Sequence, residues 1–223
     1  MENMEAILAK SLTKRFGEAA VLCDATLSVQ EGERVVVFGK TGSGKTTLLY
    51  IVAGLLRPDA GSVNLFGTEA SGNGVFMPAE GRGIGMVFQR ALLWPHMTAQ
   101  GNVEFALWAK RLRRAERKGR ALSAMALFGV DGLAKRRPET LSGGQTQRVA
   151  LARSIAAGPR ILLWDEPFTG LDGATRDEAA ARTIEFLERT GTTLVAVSHH
   201  REDAAALRAR CVAMRDGRLE ETS

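Results

Sequence analysis

A valine-rich strand that runs directly into a glycine loop and then a helix constrains this chain more than any other feature. Arg34, Val35, Val36, Val37 and Phe38 have the length and β-branched character of a buried strand. Gly39, Lys40, Thr41, Gly42, Ser43, Gly44, Lys45 and Thr46 follow, fitting G-x-x-x-x-G-K-S/T, and a helical pattern continues to about Ala53. Glycines let backbone N–H groups curl round an anion, and a helix N-terminus adds the positive end of its dipole. Lys45 then reaches the β- and γ-phosphates, and the Thr46 hydroxyl is a ligand for Mg²⁺. The loop implies a nucleoside triphosphate without saying what is done to it.

A second apolar strand, residues 161–164, ends in Asp165 and Glu166. Such a strand delivers an acid to the carboxyl edge of a parallel sheet, beside the phosphate loop. Asp165 is placed to bind Mg²⁺ through water. Glu166, next along an extended segment, points elsewhere and is placed to polarise an attacking water. His199 lies just beyond a third apolar strand, residues 192–197, where an imidazole can hydrogen-bond a γ-phosphate or simply sit in solvent. Ser142, Gly143, Gly144 and Gln145 precede another helical stretch and read either as a second anion nest or as an ordinary helix cap. Since the first loop already surrounds one triphosphate, a second nest implies a nucleotide held by another copy, in a head-to-tail dimer with two shared sites.

Strands and helices alternate along the 223 residues, the pattern of a parallel α/β sheet. Short strands are expected at 6–10, 25–29, 62–66 and 84–88, and a closing hairpin around Asp216 and Gly217. Residues 67–83, rich in glycine and small residues, read as a surface loop. From Thr98, a candidate N-cap, to about residue 129 the pattern is helical, with Gly101 a weak former in the first turn. No stretch reaches about 18 consecutive apolar residues. The start shows no basic segment followed by an apolar one. Both point to a cytosolic chain and leave room for a membrane partner. Cys23 and Cys211 are far apart and read as reduced core residues. The net charge of +5 favours polyanions in general. The densest basic stretch, residues 110–120, reads as a solvated helix face, or as a site for lipid headgroups or nucleic acid.

Taken together and in this order, the motifs resemble those of the nucleotide-binding subunits of ATP-binding cassette (ABC) transporters along nearly the whole chain. Residues 39–46 look like the family's Walker A loop. Residues 161–166 look like Walker B with its catalytic glutamate, and Pro167 follows as in the family's D-E-P pattern. Residues 141–145 spell the LSGGQ signature; Gln89 looks like the Q-loop glutamine, Leu171 and Asp172 like the end of the D-loop, and His199 like the switch histidine.

The resemblance implies a P-loop NTPase core of the ABC ATPase type in one domain over residues 1–223. It carries a small antiparallel β subdomain and an inserted α-helical subdomain at about 90–138. It implies ATP and Mg²⁺ as ligands, with Phe16 stacked on adenine and Thr47 extending the nucleotide contacts. It gives catalytic roles to Glu166, His199, Lys45 and Gln89, and metal contacts to Thr46, Gln89 and Asp165. Partners implied are a second ATPase subunit, in a homodimer, permease subunits received on the helical subdomain, and an extracytoplasmic solute-binding protein; nucleic acid is not expected. The place implied is the cytoplasmic face of the membrane.

Residues 92–98 resemble the L-F-P-H-x-T stretch of import-type subunits, which favours an importer over an exporter, a lipid mover or a soluble ABC ATPase. Thr146, His200, and Thr169 with Gly170 depart from commoner family residues without removing a group that hydrolysis needs. No C-terminal regulatory domain is expected, and so no direct regulation through one.

Overall fold

Alternating burial along three strands sets the layers. In a computed structural model that describes residues 4–221, β3 (Arg34–Phe38), β8 (Ile161–Asp165) and β9 (Thr193–Ser198) turn Val36, Leu162, Trp164, Leu194 and Ala196 to one core. Val35, Val37, Ile161, Leu163, Val195 and Val197 go to the other. Side chains alternate across a strand, so a continuous apolar run demands cover on both faces. One face is covered by α4 (Gly143–Ala156), α5 (Gly173–Thr190) and the helices α2 (Ala99–Phe105) and α3 (Arg114–Leu127). The other is covered by α1 (Lys45–Ala53) and an antiparallel sheet.

The central sheet also contains β7 (Ile84–Val87), β10 (Arg210–Arg215) and β11 (Arg218–Glu221), in the order β11-β10-β3-β9-β8-β7, with only β11 antiparallel. The second sheet runs β2-β1-β4-β5-β6, from β1 (Glu5–Phe16), β2 (Ala19–Gln30), β4 (Ala60–Leu65), β5 (Thr68–Gly72) and β6 (Val75–Phe76). A short α6 (Glu202–Ala206) follows β9. No helix among the described residues is long and apolar enough to cross a membrane.

Four local expectations are corrected. Residues 67–83 are not a loop: β5, β6 and a 3₁₀ turn at Ala79–Gly81 occupy them. Their glycines sit at the reversals, Gly67, Gly72, Gly74 and Gly83 all having positive φ, while Ala70 and Ser71 are fully buried. The helical stretch from Thr98 is not continuous. Val103 and Leu107 share one core with Ala121, Ala124 and Met125, so the chain must fold back on itself, and it does so at left-handed Arg111. Strands β1 and β2 have 12 residues each, longer than expected, because their pairing continues through irregularities near left-handed Ser11 and Asp24. Cys23 and Cys211 are half-buried rather than core residues. Thr98 does cap α2, accepting the Gly101 N–H at 3.0 Å.

Candidate active site

Strand register brings the chemistry to one edge. Val37 pairs with Val197 and Val197 with Asp165, while Val87 pairs with Trp164 and Ala213 with Phe38. The segments that follow therefore leave the sheet side by side at the carboxyl ends of the strands: the Gly39 loop, His199, Glu166, Gln89 and the turn after β10. Ligands bind at this edge in open parallel sheets.

The glycine loop is shaped by close packing and by left-handed backbone. Gly42 and Gly44 have φ of 84° and 105°. A Cβ on Gly39 would stand 2.3 Å from the Met214 carbonyl, and one on Gly44 2.6 Å from that of Val21. Inside the loop, Lys45 Nζ donates to the carbonyls of Gly39 at 2.7 Å and Lys40 at 3.1 Å. Burial holds the Lys45 ammonium below the usual lysine value, against the opposing pull of Glu166 and Asp165.

Asp165 ends β8 at 1% exposure. The Thr46 hydroxyl donates to its Oδ1 at 3.2 Å, and its Oδ2 is buried without a hydrogen-bond partner. Burial pushes its carboxyl up and the charge of Glu166 adds to this, while Thr46 and Lys45 pull it down. Burial and the Asp165 charge also push the Tyr50 phenol up.

Glu166 is not extended, as the sequence suggested. Its φ is 51°, and its N–H donates to Val197 O at 2.9 Å. That left-handed turn swings the buried side chain to His199, whose Nδ1 lies 2.7 Å from Glu166 Oε2. His200, where an aspartate was the commoner residue, packs against His199 with ring centroids 3.8 Å apart and the planes tilted by 45°.

Thr41, Gly42, Gly44, Lys45, Thr46, Thr47, Gln89, Asp165 and Glu166 line one cleft of about 270 Å³. Gly39, Lys40, Ser43 and His199 line another, of about 670 Å³, against Met214, Arg215 and Asp216. Phe16 ends β1 half-exposed, with Lys14 Nζ 5.6 Å from its ring centre, and lines neither cleft. Ser142, Gly143, Gly144 and Gln145 also lie outside both. Ser142 and Gln145 form a reciprocal capping box at the start of α4.

Mg²⁺ and a triphosphate suit this donor set. Asp165 Oδ2 is a buried oxygen with no partner, Thr46 supplies a hydroxyl beside it, and Lys45 holds a buried cation within a glycine cradle.

Several partners of the site carried no sequence signal. Gln147 Nε2 donates to Pro167 O at 2.9 Å, tying α4 to the turn behind Glu166. The Arg153 guanidinium, its pKa lowered to about 10 by burial, donates to Ala91 O and Leu92 O and lies over Trp94. Those contacts floor a groove of about 750 Å³ lined by Phe88, Trp94, Phe105 and Ala106, next to the exposed Trp108.

The family model described as ABC transporter matches residues 22–169. The chain is similar to an Fe(3+) ions import ATP-binding protein FbpC of Streptomyces coelicolor, 44% identical over 210 residues, covering 94% of this chain and 59% of that protein. It is 42% identical over 219 residues to the sulfate/thiosulfate import ATP-binding protein CysA 1 of Rhizobium meliloti, covering 96% and 62%. Among solved structures it is similar to the dimeric structure of MJ0796, a bacterial ABC transporter cassette, with a TM-score of 0.88 and 34% identity over 96% of each chain. The chain thus spans about three fifths of the length of the curated relatives it matches.

Proposed function

Because this chain belongs to the ABC transporter family, we propose that it is the ATP-binding and ATP-hydrolysing subunit of a solute importer. One observation carries the reading: a buried glutamate held 2.7 Å from a histidine, beside a phosphate loop and a partnerless aspartate oxygen. That is the equipment for hydrolysis rather than for binding alone.

The chain's own residues divide the work. The Gly39–Gly44 backbone and Lys45 take the triphosphate, Lys45 exchanging its two carbonyl partners for phosphate oxygens. Thr46, Asp165 and Gln89 hold Mg²⁺, which when bound neutralises charge on the phosphate oxygens. Glu166 takes a proton from the attacking water. His199 holds Glu166 through Nδ1, and with both ring nitrogens protonated it also donates from Nε2 to a γ-phosphate oxygen. Phe16 stacks on the base from the outside. Ser142, Gly143, Gly144 and Gln145, outside the chain's own clefts, close over the nucleotide of a second copy, as the dimeric MJ0796 cassette with ADP and Pi supports.

The groove beside Trp94 and Phe105 receives a permease segment at the cytoplasmic face of the membrane, with an extracytoplasmic solute-binding protein beyond it. The import-type relatives carry the direction. The test is to tag the chain in its native cell, solubilise membranes gently and identify what co-purifies. A polytopic membrane protein with a solute-binding protein supports the proposal. Ribosomal or DNA-bound material without a membrane protein contradicts it.

A further inference from the structure

We propose that Asp203 is a positioning residue for hydrolysis, acting through Ser198 to hold His199 against Glu166. This rests on the hydrolytic reading above.

His199 is nearly half exposed and stands on a loop, so something must fix its ring. The fixing groups lie on either side of it in sequence. Ser198, the last residue of β9, is fully buried. Its hydroxyl accepts the His200 N–H at 3.0 Å and donates to Asp203 Oδ2 at 2.5 Å. One hydroxyl thus clamps the backbone on both flanks of His199, and its orientation is set by one carboxylate on α6.

That carboxylate is 4% exposed, and a buried charge is costly unless it is paired. Its Oδ1 lies 2.8 Å from Arg176 Nη2 of α5 yet has no aligned hydrogen bond, so charge rather than geometry joins them. Asp172 caps helix α5, its carboxylate accepting the Thr175 N–H. The chain of contacts therefore runs from α5 through Arg176, Asp203 and Ser198 to the histidine that orients the base. Arg176, Asp203 and His199 line, together with Glu166, a cleft of about 220 Å³. A purely packing role needs neither an acid at position 203 nor a cation facing it; an apolar residue would fill the space at lower cost.

The experiment is steady-state ATP hydrolysis by wild type, Asp203→Asn, Ser198→Ala and the double variant, with thermal midpoints measured alongside. Ser198→Ala removes one buried oxygen, so it reports even where Asp203→Asn does not fold. Each folded single variant is expected to lose about 10- to 100-fold in kcat, the scale of a small misplacement of catalytic groups. The KM for ATP stays within about threefold, because the phosphate loop is untouched. As the two residues act in series, the double variant is no slower than the slower single. Folded variants that turn over like wild type overturn the proposal. So does a proportional loss of kcat and ATP affinity, or a double variant showing the product of the single losses. A wild-type chain without turnover overturns the hydrolytic reading itself.

Discussion

Glu166 occupies a left-handed conformation at φ 51° that costs a non-glycine residue about 1 kcal/mol or more. The bond from its N–H to Val197 O holds it there and delivers the carboxylate to His199. The sequence named the residue, because two acids after an apolar strand downstream of a phosphate loop leave few other readings. It could not show the aim, because backbone handedness at a single glutamate has no sequence signature. Asp203 was invisible for a related reason. It looks like an ordinary polar residue on a short helix until folding buries it beside Ser198. Asp165 offers a test at this scale. Burial and Glu166 raise its carboxyl pKa, so the fold disfavours the ionised form. Asp165→Asn is therefore expected to raise the thermal midpoint of the nucleotide-free protein at neutral pH, while abolishing Mg²⁺-dependent turnover. The ionised form's cost is relieved as pH falls through the raised pKa, so the gap between variant and wild type closes in acid. Calorimetry across pH reads both effects.

Among the elements, α1 and its loop are held at both ends by contacts that tolerate little change. At the C-terminal end, Arg82 is buried and donates to the carbonyls of Ile51, Val52, Met77 and Ala70 and to the Ser71 hydroxyl. It fastens the antiparallel sheet to the helix that presents Lys45. Replacing Arg82 with Met removes every one of these donors and is expected to cost about 3 kcal/mol or more in urea unfolding. At the other end, Gly39→Ala drives a methyl group into the Met214 carbonyl. ATP binding, read by fluorescent-nucleotide titration, should fall at least tenfold while the protein still folds. The parallel strands and α1 were legible because their apolar runs and loop glycines are local signals. The antiparallel sheet was half hidden: β5 is built largely from small residues and ends in Gly72, a composition that favours turns, and β6 is only two residues long. The break between α2 and α3 was hidden as well, because tertiary packing at Leu107 and Met125, rather than a proline or glycine, makes it.

For the whole molecule, the one property that the chain's own clefts leave incomplete is the use of Ser142, Gly143 and Gly144. The sequence suggested a second copy because a chain with one triphosphate site has no need of two anion nests, and in the structure the second nest lies outside both clefts of the first. The solute of the proposed importer was not legible, because no motif in the sequence reads a cargo. Ser142→Arg places a cation and bulk at the proposed shared surface. It should leave ATP binding to the single copy intact and abolish ATP-driven association on a sizing column. The central claim, that Glu166 is the base of an ATPase that closes as a dimer, is tested most directly by turnover and oligomeric state of Glu166→Gln in ATP and Mg²⁺. The account predicts retained ATP binding, turnover reduced at least 100-fold, within the range assigned to general-base catalysis, and a stable nucleotide-bound dimer. Normal ATP hydrolysis by that variant would contradict it.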